Sequence, residues 1–198
     1  MKTVQVRNIT IGEGRPKICV PIVGQTKEDI LLEAGTFARI PVDVVEWRVD
    51  WFENVFDTEK VLDVAKDLQT VLKDTPILFT FRTAKEGGEK AISNEDYKAL
   101  NMAVAKSGYV DLVDVEAFTG EEIVKSMIEE AHSYGVKVIA SNHDFDATPA
   151  KDEIVRRLRM MQDYGADIPK MAVMPQSKQD VLTLLSATLE MSEQFADR

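Results

Sequence analysis

The run Ile18-Cys19-Val20-Pro21-Ile22-Val23-Gly24-Gln25-Thr26 separates the two architectures open to this chain. It reads as a short, buried, largely apolar strand, then a turn with one glycine, then a threonine placed to cap a helix. A doubly wound nucleotide-binding sheet is expected to follow its first strand with a glycine-rich turn, because a phosphate must approach the backbone at the helix start. Gly24 stands alone there, so the run favours a parallel α/β barrel.

Outward from this run the same unit repeats. Apolar segments at 18–23, 42–49, 77–81, 112–118, 136–140 and 171–174 are short and rich in β-branched residues, as expected of parallel strands buried on both faces. Helical periodicity follows each, as in Val61, Val64, Ala65 and Leu68, or Ile154, Leu158 and Met161. Thr26, Ser93 and Ser177 stand at expected N-caps, and Gly108, Gly135 and Gly165 at expected left-handed C-terminal positions. Upstream, residues 4–11 alternate, and Gly12 and Gly14 suggest a small N-terminal hairpin or plug over 1–14. The expectation is one α/β domain over 1–198 of the (β/α)8 TIM-barrel class. Six strand–helix units are legible where a complete barrel has eight and about 250 residues. The final helix is expected at 179–195.

The 198 residues are 44% hydrophobic, enough for one sizeable core, and carry a net charge of -10, which opposes nucleic acid or an anionic membrane as partner. A lone cysteine, Cys19, cannot form an internal disulfide, and the N-terminus has no long apolar run, so a cytoplasmic protein is expected. No stretch reaches the roughly 18 apolar residues of a membrane span.

In this architecture the site forms at the C-terminal ends of the strands, and charge gathers there. Successive strand ends carry Glu46-Trp47-Arg48-Val49-Asp50, Arg82-Thr83-Ala84-Lys85-Glu86, Asp114-Val115-Glu116 and Asn142-His143-Asp144, and Lys170 lies on the last strand. Among apolar neighbours, and with the cations Arg48 and Arg82 nearby, Lys170 would lose its proton more easily and could attack a carbonyl. Pairing with Asp167 at the strand entrance is the plainer alternative. His143 ends a strand and suits proton transfer near neutral pH, whereas His132, one turn before Gly135, suits a structural role at a helix C-terminus. Glu86 could orient His143 or be a solvated loop charge. Glu46 and Arg48, two apart on a strand, share the barrel's inner face as a substrate grip or a buried ion pair. His143 and Cys19 lack partners at metal-ligand spacing. Magnesium on Asp50, Asp114 and Glu116 would compete with the positive charge of Arg48, Arg82 and Lys170.

These segments, with Phe81-Arg82-Thr83, Glu86-Gly87-Gly88, Ser141-Asn142-His143-Asp144-Phe145 and Lys170-Met171-Ala172-Val173-Met174-Pro175, resemble the type I 3-dehydroquinate dehydratases of the shikimate pathway. The resemblance spans the whole chain. It implies that Lys170 forms an imine with 3-dehydroquinate, that His143 moves the proton and that Glu86 orients His143. It further implies that Glu46, Arg48 and Arg82 hold the substrate, that no metal or organic cofactor is needed, and that complete members are homodimers. Family members continue through two more strand–helix units carrying a further arginine and a serine–glutamine lid loop, so an unclosed barrel with weak or absent turnover is expected. Another imine-forming barrel, such as a class I aldolase, and an inactive fragment that associates through its open strand edges are the alternatives.

Overall fold

The structure, a computed structural model, describes residues 3–37 and 39–195. The ends of the expected domain, 1–2 and 196–198, lie outside the described residues. A two-stranded antiparallel sheet, β1 (Val4–Val6) and β2 (Ile9–Ile11), precedes a six-stranded parallel sheet. The larger sheet is β3 (Cys19–Ile22), β4 (Val44–Arg48), β5 (Ile77–Thr80), β6 (Leu112–Glu116), β7 (Lys137–Asp144) and β8 (Ile168–Val173), paired in chain order. Helices α1 (Lys27–Phe37), α2 (Thr58–Leu72), α3 (Asn94–Ser107), α4 (Glu121–Ser133), α5 (Lys151–Asp163) and α6 (Lys178–Gln194) follow the six strands in turn. The barrel class and its six units are as expected. Among the described residues β3 pairs only with β4, and β8 only with β7.

Alternation along the strands sorts the interior into two regions. Val45, Trp47, Ile77, Phe79, Val113, Val115, Val138 and Ala140 turn outward and meet Val61, Val64, Leu68, Val124, Met127 and Ile154 of the helices in one core. Val44, Leu78 and Leu112 turn inward at the starts of their strands, where Val4 and Val6 of the hairpin pack on them. The hairpin thus plugs the N-terminal end of the barrel with apolar side chains. The polar inward residues lie further along the strands, toward the C-terminal mouth.

The hairpin turn is not made by the expected glycines. It falls at Arg7-Asn8, with Arg7 in the left-handed region (φ 46°), and Gly12 and Gly14 come after β2. The Arg7 guanidinium is tied to Asp111 at 2.6 Å and to the Lys73 carbonyl, which anchors that turn to the loops beneath the barrel. The expected caps are present: Thr26 Oγ1 accepts from the Asp29 N–H, Ser93 from Asp96, and Ser177 forms a capping box with Asp180. Gly108, Gly135 and Gly165 have φ of 73°, 78° and 98°.

Each strand's limits differ from the sequence reading by one or more residues, and two of the differences matter. β7 continues past Ala140 to Asp144 because β8 pairs with it through His143↔Ala172 and Asp144↔Val173. β8 starts at Ile168 rather than Met171, and it accommodates Pro169 because the missing N–H costs no ladder bond on the unpaired side. His143 and Lys170 are thus both held within the ladder, as strand residues. β6 stops at Glu116, and Phe118 beyond it is exposed.

Candidate active site

Arg82 sits at the centre of the mouth. Only 3% exposed, it follows β5 and donates from Nη2 to Asp114 Oδ1 at 2.8 Å, and from Nη1 to Glu116 Oε1 at 2.9 Å and Ser141 Oγ at 3.1 Å. The two carboxylates are two apart on β6, so both face inward beneath it. Burial opposes the guanidinium's charge, but Asp114 and Glu116 outweigh it and hold Arg82 ionised. The same contest goes opposite ways on the two acids. Asp114 is pushed up by burial, yet Arg82 and then Lys170 hold it below the ordinary carboxylate range. For Glu116 burial prevails over Arg82 and the two Thr83 hydrogen bonds, and its carboxyl is raised.

Lys170, the third residue of β8, reaches into this cluster. Its Nζ lies 3.6 Å from Asp114 Oδ2, a buried oxygen with no hydrogen-bond partner. Asp167, the alternative partner, is taken by His132 Nε2 at 2.6 Å, Lys137 Nζ at 3.1 Å and the Val138 N–H at 2.9 Å. His132 therefore ties the end of α4 to the start of β8, as its position on the helix suggested. The electrostatic surroundings expected for Lys170 need correction. Arg48 donates both Nε and Nη2 to Asp50 at 2.8 Å, and Arg82 is matched by its two acids, so the charge facing the amine is Asp114 rather than a cation. Residue spacing could show which side chains share the mouth but not which neutralise one another.

Glu86 ends a 3-10 turn (Ala84–Glu86) and is buried, not solvated. Its Oε2 accepts from the His143 backbone N–H at 2.9 Å and lies 2.9 Å from His143 Nδ1. A carboxylate only accepts, so Nδ1 carries the hydrogen and Nε2 is left free. The turn is closed by Gly87 in the left-handed region (φ 81°) and by the Gly88 N–H donating to the Thr83 carbonyl at 2.9 Å. A Cβ on Gly88 would lie 1.9 Å from the Arg82 carbonyl oxygen, and backbone cannot step aside as a side-chain tip can. Gly88→Ala is expected to lower stability by about 2 kcal/mol or more, read as a lower urea midpoint; a midpoint equal to the parent's would mean that this loop is not held as described.

Glu46 and Arg48 lie on the inner face of β4, both part-buried, between outward Val45 and Trp47. Asp50 is fully buried and binds Arg48, the Arg82 N–H at 3.3 Å and the Glu89 N–H at 3.2 Å. Asp50, Asp114 and Glu116, weighed above as magnesium ligands, are thus each matched by an arginine. Cys19 opens to solvent at the edge of β3, but the protein around its sulfur and the Glu46 carboxylate push its thiol up to about 12, so it does not compete as a nucleophile. The structure places Arg48, Arg82, Glu86 and His143 at or just beyond the C-terminal ends of their strands, and Glu46 and Lys170 at mid-strand. It adds Asp114 as a shared anion, together with Ser141, Asn142 and, from outside, Arg157.

A family profile described as type I 3-dehydroquinase matches residues 18–198. A 3-dehydroquinate dehydratase of Salmonella agona (strain SL483) is 55% identical over 198 residues, 100% of this chain and 79% of that protein. The chain belongs to the type I 3-dehydroquinase family. A second relative, the 3-dehydroquinate dehydratase of Clostridioides difficile (strain 630), is 54% identical over 197 residues, with 100% of this chain and 77% of that protein covered. The crystal structure of a type I 3-dehydroquinate dehydratase from Clostridium difficile with covalently modified comenic acid superposes with a TM-score of 0.98 at 54% identity. The match covers 100% of this chain and 78% of that one. Membership in the type I 3-dehydroquinases favours the dehydratase reading over that of an aldolase. No helix among the described residues is long and apolar enough to cross a membrane.

Proposed function

We propose that this chain dehydrates 3-dehydroquinate to 3-dehydroshikimate through an imine on Lys170, as a step of the shikimate pathway. The observation that carries this reading is the amine of Lys170 held 3.6 Å from buried Asp114 at the same barrel mouth as His143. The amine attacks the ring ketone and, with loss of water, gives a protonated imine whose positive charge faces Asp114 Oδ2. His143 Nε2, free because Nδ1 is engaged by Glu86, takes the proton from the carbon beside the imine, and the electron pair moves onto nitrogen as an enamine. The enamine returns that pair to expel the ring hydroxyl, which leaves as water with the proton from His143. A second water then releases the product and restores Lys170. One water is consumed and two are produced, so the net change is loss of one water from the substrate.

Glu46 and Arg48, side by side on the inner face, are assigned the grip on the ring hydroxyls and the carboxylate. Arg82, enclosed by Asp114, Glu116 and Ser141, adds positive charge behind them. Comenic acid, the covalently modified ligand of the Clostridium difficile relative, is in keeping with a site that forms adducts. The same reading carries a cytoplasmic homodimer without metal or organic cofactor, and sedimentation velocity tests the dimer. The central test is borohydride reduction in the presence of 3-dehydroquinate followed by peptide mapping. A mass adduct on the peptide containing Lys170 is expected; an adduct confined to other lysines, or none at all, would refute the imine.

A further inference from the structure

Glu86 is held in place from outside the barrel. Its Oε1 accepts from Asn142 Nδ2 at 3.2 Å, and Asn142 Oδ1 accepts from Arg157 Nη1 at 2.9 Å. Arg157 belongs to α5, a layer away from the mouth, and is fixed on every side. Its Nε donates to Glu153 Oε1 at 2.7 Å, its guanidinium lies 5.6 Å from the Phe118 ring centroid, and Nη1 is 3.7 Å from Asp144 Oδ2.

A primary amide can be turned end for end with almost no change of shape, so its orientation is set by what stands at each end. A guanidinium only donates and a carboxylate only accepts. With Arg157 outside and Glu86 inside, one orientation of Asn142 satisfies both, while the reverse sets donors against donors and oxygen against oxygen. Asn142 is 7% exposed, so water has little room to repair the mismatch. A cation on the outer helix thereby dictates that an N–H donor points at Glu86.

We propose that Arg157 is a positioning residue for the general base: through Asn142 it fixes Glu86, and through Glu86 the ring of His143 with its hydrogen on Nδ1. The proposal rests on the role given to His143 above. Without Arg157 the amide is free to turn its oxygen toward Glu86, the carboxylate withdraws, and the ring is no longer held to one tautomer. The neighbouring Arg156 is a matched control. It bonds both oxygens of Glu153, Oε2 at 2.6 Å and Oε1 at 2.8 Å, and stays exposed, while the hydrogen bond to Asn142 comes from Arg157.

The test reads the ring directly. The chain has two histidines, so ring-15N spectra in a His132→Gln background show His143 alone. Recorded where the ring is neutral, the parent is expected to show the Nδ1–H tautomer with a low-field proton. Arg157→Gln is expected to lose that proton signal and populate both tautomers, and turnover to fall on the order of tenfold with KM within about twofold. Arg157→Lys should restore part of both, and Arg156→Gln should match the parent. Should Arg157→Gln fail to fold, Asn142→Ser is expected to give the same tautomer shift. A ring spectrum identical to the parent's in whichever of these variants folds overturns the proposal. Loss of the Lys170 adduct in the parent would instead overturn the imine mechanism and leave the tautomer result standing.

Discussion

Lys170→Met is expected to abolish the borohydride adduct and to lower turnover by roughly 10⁴-fold or more, because the electron sink disappears with the imine. Methionine preserves length and apolar contact on β8, so the fold should survive; its cost is that Asp114 Oδ2 loses the ammonium 3.6 Å away, while Arg82 stays on Oδ1. His143→Gln separates the next step. The imine should still form and still trap at Lys170, while turnover falls by roughly 10²–10⁴-fold, the usual worth of a positioned acid–base group. Mass spectrometry of the trapped peptide and single-turnover rates read the two variants together. An adduct persisting in Lys170→Met, or one lost in His143→Gln with the fold intact, contradicts the division of labour proposed for this pair.

Arg82→Met carries the largest expected change in stability, about 3–5 kcal/mol at neutral pH, the usual cost of removing one partner from a buried ionic cluster. Asp114 and Glu116 are almost completely buried, and Arg82 supplies the cation they share. The sign of the pH dependence follows from Asp114. Its folded carboxyl is held below the ordinary range, burial notwithstanding, by Arg82 and Lys170, so in the parent its contribution is complete above about pH 4 and is lost as pH falls through the depressed value. In the variant the main opposing charge is gone, burial prevails, and the carboxyls rise. Protonation then relieves the variant as pH falls. The gap between parent and variant should be widest near neutrality and shrink toward pH 4 and below, as urea unfolding at a series of pH values will measure. A gap that widens on acidification would mean that Arg82 is not the cation holding Asp114.

The sequence was informative wherever chemistry is local. Short β-branched runs, helical periodicity, cap residues and the lone glycine after the first strand pointed to a parallel barrel, because each depends on backbone and neighbours within a few positions. Strand ends of a barrel converge by topology, so Glu46, Arg48, Arg82, Glu86, His143 and Lys170 could be named together before any distance was known. Their partners could not. Asp50 and Arg48 are two apart in sequence, yet that they neutralise each other depends on a rotamer chosen by packing. Asp114 faces Lys170 only because β6 and β8 flank β7 in a curled sheet, and that contact replaced expected cations with an anion.

Arg157 marks the limit most sharply. In sequence it is one arginine in the run Arg156-Arg157-Leu158-Arg159, with no feature that separates it from its neighbours. In the fold Arg156 is exposed, while Arg157 reaches Asn142 and, through it, Glu86. The sequence by itself therefore indicated a parallel α/β architecture and charged groups at its strand ends, since both follow from periodicity and strand order, and the family resemblance picked six residues out of them. Only the tertiary structure decided which charges cancel, which nitrogen of His143 bears the hydrogen and what holds Glu86, because those depend on contacts of a few ångströms between residues far apart in the chain.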